Sequence, residues 1–149
     1  MIDAHFLSLC TLLGTKERKH SFAAAIDTLI STQSQSASFS LSEEIFTRDE
    51  FRIIRELVKS YSDLKQLRKQ LFEVPIFSAQ ISFIPTKQFS TKLISLLQTN
   101  ISDPFFLEII VNPGIMGGCV IEFKGMYNDR SLKRDITKWM KARPKQHGR

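Results

Sequence analysis

The sequence is poor in cysteine and has no long apolar run. Its two cysteines, Cys10 and Cys119, are far apart, and neither has another Cys or a His at metal-ligand spacing. Both are therefore expected to be free thiols of a reducing compartment. No apolar run approaches the roughly 18 residues of a membrane-spanning helix. The apolar opening, MIDAHFLSLCTLLG, lacks a basic leading segment and a small-residue cleavage site, which predicts a helix of the mature protein rather than a signal peptide.

Combinations of catalytic side chains are also missing. The three histidines, His5, His20 and His147, have no Ser, Cys or carboxylate partner at a suggestive spacing, so they form neither a triad nor a metal site. The chain has no GxGxxG, GKS or GKT motif, which argues against a nucleotide site. We therefore predict a protein that is not an enzyme, with no catalytic residue, cofactor, metal or small-molecule ligand.

Acidic residues are outnumbered, with 15 Asp and Glu against 21 Lys and Arg and a net charge of +6. Near the C-terminus Asp135 alone opposes Lys133, Arg134, Lys138, Lys141, Arg143, Lys145 and Arg149. Such a segment, ending in the basic tail 143–149, can meet nucleic acid, an anionic membrane or an acidic protein, or can be a solvated end. Nucleic-acid modules usually interleave basic and aromatic residues, whereas the aromatics here are mostly phenylalanines at core spacings.

Helical periodicity dominates residues 1–74, which are predicted to form about three helices. The first helix carries an apolar stripe at i, i+4, i+7 and i+11, and Gly14 is its expected stop. That stripe consists of Ile2, Phe6, Leu9 and Leu13. A charged link at 16–20 and a Ser21 cap are expected to precede the second helix. Residues 31–42 are polar and lack periodicity, which predicts a linker.

Thr47 gives a clear helix start. Thr47 and Glu50 have the spacing of a capping box, and Phe46 and Phe51 have that of a hydrophobic staple. Apolar residues then recur at spacings of three and four until Pro75. This pattern predicts one long helix that packs against neighbouring helices.

The period changes after Pro75, so residues 75–142 are predicted to form a small β-α-β-β-β-α domain within an α+β fold. Apolar residues alternate at 77–83, which indicates a half-buried strand. The richly apolar segment 105–111 is predicted to be a central strand. Thr86 is expected to start a helix with these side chains turned inward: Phe89, Leu93, Leu96 and Leu97.

The last predicted helix carries an apolar stripe of its own. It consists of Leu132, Ile136, Trp139 and Met140. We interpret Trp139 as a core residue and expect two helices to pack on one small sheet.

Two adjacent glycines mark the stretch before that helix, which reads NPGIMGGCVIEFKGMYNDRS. It predicts short strands at 119–123 and 126–127 with a tight reversal between them. Gly117 and Gly118 stand before a strand, whereas phosphate-binding glycines stand between a strand and a helix. We therefore interpret the pair as positions where a Cβ would block passage of the strand beneath a helix.

Asp129 and Ser131 stand at the start of the last helix. Either side chain can accept hydrogen bonds from the free N–H groups of the first turn. One of them is expected to be the cap, and the sequence does not decide between them.

The run NPGIMGGCVIEFKGMYNDRSLKRDI resembles the C-terminal signature of the delta subunit of F-type ATP synthase, called OSCP in mitochondria. That signature is a Gly-Gly pair, an apolar strand, a turn, a second short strand and an Asp-Gly-Ser helix start. Gly117 and Gly118 match the pair, while Asp129 and Ser131 match the helix start at the family's spacing. The resemblance covers about residues 75–140.

The chain also departs from the family. Arg130 stands where the family usually has glycine, which leaves open whether the backbone has a positive φ there. Asn112 replaces a common aspartate. The family's N-terminal domain is a six-helix bundle, so the three helices predicted here imply a shortened or divergent domain. The E subunit of V/A-type ATPase stalks is the alternative among stalk proteins.

The resemblance implies a non-catalytic stator subunit, peripheral to the cytoplasmic face of the inner or plasma membrane or its organelle equivalent. Its implied partners are the b subunits, held by the C-terminal domain, and the alpha subunits, touched by the N-terminal helices. The candidate partner-binding residues are Ile2, Phe6, Leu9, Leu13, Trp139, Lys133 and Arg134. A small basic nucleic-acid-binding protein is the alternative from a different class.

Overall fold

The computed structural model describes residues 3–33, 41 and 44–142, so the basic tail and Ile2 lie outside the described residues. The described part has an α+β fold with six α-helices and one four-stranded sheet. In chain order the elements are α1 (Ala4–Leu13), α2 (Lys16–Gln33), α3 (Arg48–Leu57), α4 (Tyr61–Glu73), β1 (Ile76–Ile81), α5 (Lys87–Asn100), β2 (Phe106–Val111), a 3-10 turn (Pro113–Ile115), β3 (Gly118–Phe123), β4 (Met126–Ser131) and α6 (Leu132–Ala142).

The first two helices are joined by a very short link. Gly14 ends α1 with φ 62°, as predicted for a residue without a Cβ. Thr15 then starts α2, because its hydroxyl accepts a hydrogen bond from the Arg18 N–H at 3.3 Å. The prediction of a charged link at 16–20 with a Ser21 cap is therefore wrong, since those residues already lie within α2. The predicted linker 31–42 begins inside α2, and residues 34–40 lie outside the described residues.

The long helix predicted between Thr47 and Pro75 is two helices. The capping box of Thr47 and Glu50 is present at the start of α3. Val58 then takes an extended conformation and is buried, and Ser60 and Asp63 form a second capping box that starts α4. The Ser-x-x-Asp spacing was the sequence signal for this break. The described N-terminal part thus has four helices where about three were predicted.

The sheet has the strand order β2-β1-β3-β4, with β1 parallel to β2 and the remaining pairs antiparallel. The prediction that β2 is central is wrong, because β2 lies at an edge. The strand β2 is apolar because the helical part covers it. The Leu107 N–H donates to the Gly14 carbonyl oxygen at 2.9 Å, and the Phe106 side chain belongs to the core of the helical part. The link between α1 and α2 thereby covers an edge that would otherwise be open.

Two apolar clusters form the core. The larger lies among α1 to α4 and includes Phe106 of β2. The smaller lies between the sheet and one side of α5, where Leu93, Ile94 and Leu97 contact Phe77 and its neighbours. Leu96, predicted to point inward, is 61% exposed. α5 thus packs on the sheet through half-buried side chains, whereas α6 has no buried residue.

Contacts cross the predicted boundary near Pro75, where helix gives way to strand. Lys16 forms an ion pair of 2.6 Å with Glu108 of β2. Phe106 is completely buried against the helices. The division into domains at 1–74 and 75–142 stays a prediction, and the two parts share packed side chains.

Lys19 is buried at this same seam, with 3% of its surface exposed. Its Nζ lies 5.1 Å from the ring centroid of Phe106, 5.5 Å from that of Phe72 and 3.4 Å from the carbonyl oxygen of Val74. Burial lowers the pKa of Lys19 from its ordinary value of 10.5. Desolvation is thus the largest influence on the charged form of Lys19 at this seam.

We expect Lys19→Met to raise the free energy of unfolding at pH 7 by about 1 kcal/mol, because Met retains the apolar contacts of the stem and removes a buried charge. The pKa of Lys19 is lower in the folded chain, so the unfolded chain binds more protons between the lowered pKa and 10.5. Stability of the natural chain therefore rises with pH in that window. The difference in the free energy of unfolding between the Met variant and the natural chain should shrink there.

Urea unfolding of both chains near neutral pH and near pH 10 measures this difference. Lys19→Ala is the control and should lose stability, because it removes the stem as well as the charge. A Met variant that is less stable than the natural chain at pH 7 would show that the ring contacts outweigh the cost of burial.

Candidate partner-binding surfaces

Gly118 begins β3 at a point where two backbones almost touch. Its φ is +73°, and a Cβ built on it would lie 2.1 Å from the carbonyl oxygen of Arg130 in β4. The glycine thus provides backbone clearance, as predicted, but the neighbour is the adjacent strand and not a helix. At Gly117 a Cβ would make only ordinary contact with Leu132, and the Gly117 carbonyl oxygen accepts from the Leu132 N–H at 3.0 Å. The glycine pair therefore fixes where β4 ends and α6 begins.

Ser131 is the cap of α6. Its hydroxyl accepts a hydrogen bond from the Arg134 N–H at 3.2 Å, which satisfies one free donor of the first turn. Asp129 serves a different purpose, since its carboxylate accepts from the Ser131 N–H at 2.8 Å. The hydrogen bonds from the Ser131 side chain and backbone lower the pKa of Asp129. Sequence reasoning left these two roles open, and the structure assigns both.

Arg134 completes this junction by donating from its guanidinium to the carbonyl oxygen of Asp129. β4 is an edge strand, so the bonds at Asp129 and Ser131 occupy two backbone groups at the end of that strand. Arg130 lies within β4 and is not among the residues with positive φ. The replacement of the family's usual glycine therefore creates no strained turn.

The apolar stripe of α6 faces away from the core. Trp139 is 57% exposed and Met140 64%, while Leu132 and Ile136 are also exposed. The interpretation of Trp139 as a core residue is wrong, because α6 contacts little beyond the end of β4 and the 3-10 turn. Periodicity predicted which residues share a face but not whether anything covers that face. An exposed apolar stripe of this kind is typical of a protein-binding surface.

The opposite side of α6 borders a basic groove. This groove has a volume of about 440 Å³ and lies between α6, the 3-10 turn and one face of the sheet. Its floor includes Ile115 and Val120, which are both buried. Its other lining side chains include Gln80, Asn112, Tyr127, Asp129, Lys133, Arg134, Thr137, Lys138 and Lys141. Two predicted partner-binding residues, Lys133 and Arg134, thus lie on a different side of α6 from Trp139.

Of the candidate partner-binding residues of the first helix, those that the structure describes do not lie on an exposed surface. Phe6, Leu9 and Leu13 are buried within the helical core, with at most 6% exposure. Their assignment as partner-binding residues does not fit this structure, because they lie in the apolar core of the helical part instead of facing solvent. Ile2 lies outside the described residues.

A surface that sequence reasoning missed lies on the outer side of α1. Leu7, Thr11 and Leu12 border a shallow groove of about 520 Å³ against Arg52 and Ile53 of α3. Leu7 is 38% exposed there. The sequence signal for this surface was the pair Leu7 and Leu12, two apolar residues that lie outside the main apolar stripe of the first helix.

The chain offers little for redox or metal chemistry. Cys10 is buried, and burial raises the pKa of its thiol to about 12, which leaves it protonated near neutral pH. Cys119 is a half-buried free thiol. Across residues 3–33, 41 and 44–142, His, Cys, Asp and Glu nowhere form a group of three or more that could hold a metal. None of the helices in this part is both long and apolar enough to cross a bilayer.

Comparison with protein families gives a match over residues 11–142 to the family described as ATP synthase delta (OSCP) subunit. The chain belongs to this family. The match starts within α1, so it covers the helical part as well as the C-terminal signature that carried the resemblance. No individually curated protein matches the chain at a significant level.

Membership of the delta (OSCP) family makes the chain a non-catalytic component of the F-type ATP synthase peripheral stalk. Its complex is membrane-associated. The family match also favours this assignment over the E subunit of V/A-type stalks. The assignment of Gly117, Gly118, Asp129 and Ser131 as a structural motif of the family stays a prediction.

Gly118→Ala should lower the free energy of unfolding by about 3 kcal/mol or more, because the new Cβ would collide with backbone at a positive φ. Gly125→Ala is the matched control: its φ is +77°, yet nothing lies within 4 Å of the added Cβ. It should cost only about 1 kcal/mol. Urea unfolding of both variants tests the comparison, and equal losses would show that the close approach at Arg130 does not constrain the fold.

Proposed function

We propose that this chain links the b-subunit stalk to the alpha subunits of the catalytic head, so that the head does not turn with the rotor. Membership of the delta (OSCP) family supports this role. The supporting structural feature is that the chain presents separate surfaces on its two parts: the outer side of α1 and α3, and α6. A connector needs two such surfaces because it must hold two partners at once.

In this proposal the exposed stripe of α6 receives the b subunits. Its four apolar side chains are 38% to 64% exposed, and tryptophan is among the residue types most often found at the energetic centre of an interface. Cations on the neighbouring sides of the helix, such as Lys133, can form the polar rim of the contact. The exposure of this stripe is the observation that carries the proposal.

The outer side of α1 and α3 receives the alpha subunits. The groove bordered by Leu7 and Ile53 offers apolar contact, and Asp49 and Arg52 supply charged groups at its margin. This surface replaces the buried stripe of α1 as the N-terminal contact. The chain acts at the cytoplasmic face of the inner or plasma membrane, or the organelle equivalent, and reaches the membrane only through the complex.

Nucleic-acid binding is the second candidate, and the cations of the basic groove favour it. Single-stranded nucleic acid is usually held by cations interleaved with aromatic rings. Trp139, the only tryptophan, is not among the residues that line this groove. Tyr127 is the one aromatic side chain among them, which makes the nucleic-acid proposal the weaker of the two.

Replacing Ile136 and Trp139 together by Ser should weaken binding of the purified b subunit at least ~30-fold, which corresponds to about 2 kcal/mol lost from an interface centre. Both side chains are exposed, so helix content and thermal unfolding should change little. Calorimetric titration of the full chain with the b subunit measures the effect.

Leu96→Ser is the matched control, because it removes an equally exposed apolar side chain from α5. It should leave the affinity for the b subunit unchanged. The proposed role of α6 is wrong if the double variant binds the b subunit as tightly as the natural chain does.

A further inference from the structure

We propose that the basic groove of α6 is a second docking site, which takes an acidic amphipathic helix from another subunit of the assembled ATP synthase. This inference rests on the proposed stator role. It adds a partner of stated chemistry on the side of α6 that its apolar stripe does not occupy. Helix α6 would then be held on two sides, by an apolar contact and by an electrostatic one.

The charges of the groove are largely uncompensated. Among the described residues, no carboxylate lies within ion-pair distance of Lys133, Lys138 or Lys141. Arg134 is engaged with Asp135 at 2.9 Å. In the described part of the chain, Asp129 is the acidic side chain that lines the groove, and its single negative charge, which attracts Arg134 and Lys138, faces four cations. The groove therefore carries an excess of positive charge that an acidic partner can neutralise.

The spacing of the three lysines suits a helix. Lys133, Lys138 and Lys141 all line the groove and cover eight residue steps of α6, or about 12 Å along its axis at 1.5 Å per residue. Acidic side chains at positions i, i+4 and i+7 of a partner helix cover about 10.5 Å by the same rule. Two helices lying side by side could therefore pair these charges over two turns.

The apolar part of the groove distinguishes an acidic protein helix from a phosphate chain. Ile115 and Val120 lie buried beneath the groove, and the apolar surface that the groove offers is Tyr127, which is 65% exposed. An amphipathic helix can rest apolar side chains on this ring while its acids reach the lysines. A phosphodiester backbone would use the cations alone and would leave the ring of Tyr127 uncovered.

A photo-reactive benzoylphenylalanine at Thr137 tests the occupant without removing any charge, since Thr137 is neutral and lines the groove. The labelled full chain is assembled into the intact ATP synthase, irradiated and digested, and the linked peptide is sequenced. We expect a protein segment with at least three acids at helical spacing. A basic or purely apolar segment, nucleic acid, lipid or the absence of any link would overturn the proposal. The same label at Ile136 reports the apolar side of α6 separately.

Charge reversal provides the second test. Lys138→Glu together with Lys141→Glu should reduce retention of the chain in the complex at least tenfold at low salt. Lys87→Glu with Lys92→Glu makes the same change of net charge on exposed positions of α5 and should have no effect. Exchanging acids for lysines in the segment linked to Thr137 should restore retention of the groove variant.

The two proposals fail in distinguishable ways. If Ile136→Ser with Trp139→Ser releases the chain from the b subunit while groove reversal changes nothing, the groove proposal is wrong and the stator role stands. If neither pair of changes affects attachment to the complex, both proposals are wrong. Loss of retention in the α5 control as well would indicate a general effect of charge and would also overturn the groove proposal.

Discussion

The contact between Gly118 and the Arg130 carbonyl oxygen sets the position at which β4 ends, and the placement of α6 depends on it. Because no Cβ intervenes, β3 and β4 stay in register up to the pair Gly118 and Ser131. Ser131 can then cap α6 while Asp129 holds the Ser131 N–H. The start of α6 is thus tied to the sheet by backbone groups and short side chains. The rest of the helix has no buried residue of its own, so both of its sides remain accessible to partners.

Local signals in the sequence predicted a large part of this fold. The Gly14 stop, the caps at Thr47 and Thr86, the alternation in β1 and the reversal at Lys124 all depend on neighbours in the chain, and each is present. The errors concern long-range packing. An apolar strand can be central, or can lie at an edge that other elements cover, as β2 does through Gly14. Likewise, the apolar spacing of three and four ran across residues 58–60 without a gap, and the capping box of Ser60 with the burial of Val58 explains the break.

The candidate site shows the same division between local and long-range information. The sequence indicated that Gly118 needs backbone clearance and that Asp129 or Ser131 caps α6, but the strand that approaches Gly118 and the choice of Ser131 as the cap come from the structure. Phe6 and Trp139 were both candidate partner-binding residues, yet Phe6 is buried and Trp139 is exposed. A helical stripe reveals which side chains share a face, whereas the neighbour that covers the face comes from elsewhere in the chain or from another subunit. In a subunit of a complex, that neighbour can be absent from the sequence altogether.

In the proposed connector role, force has to pass between the two surfaces, and the seam between the helices and the sheet joins the parts of the described chain that carry them. Three kinds of interaction cross it: the backbone bond from Leu107 to Gly14, the ion pair of Lys16 with Glu108, and the burial of Phe106 among the helices. Backbone bonds and close packing resist displacement better than a flexible linker does, because even a small movement would have to break their contacts. Within this seam, Lys19 costs folding free energy, since its charge is buried there. The proposed connector would thus combine a closely packed seam with exposed surfaces on either side of it.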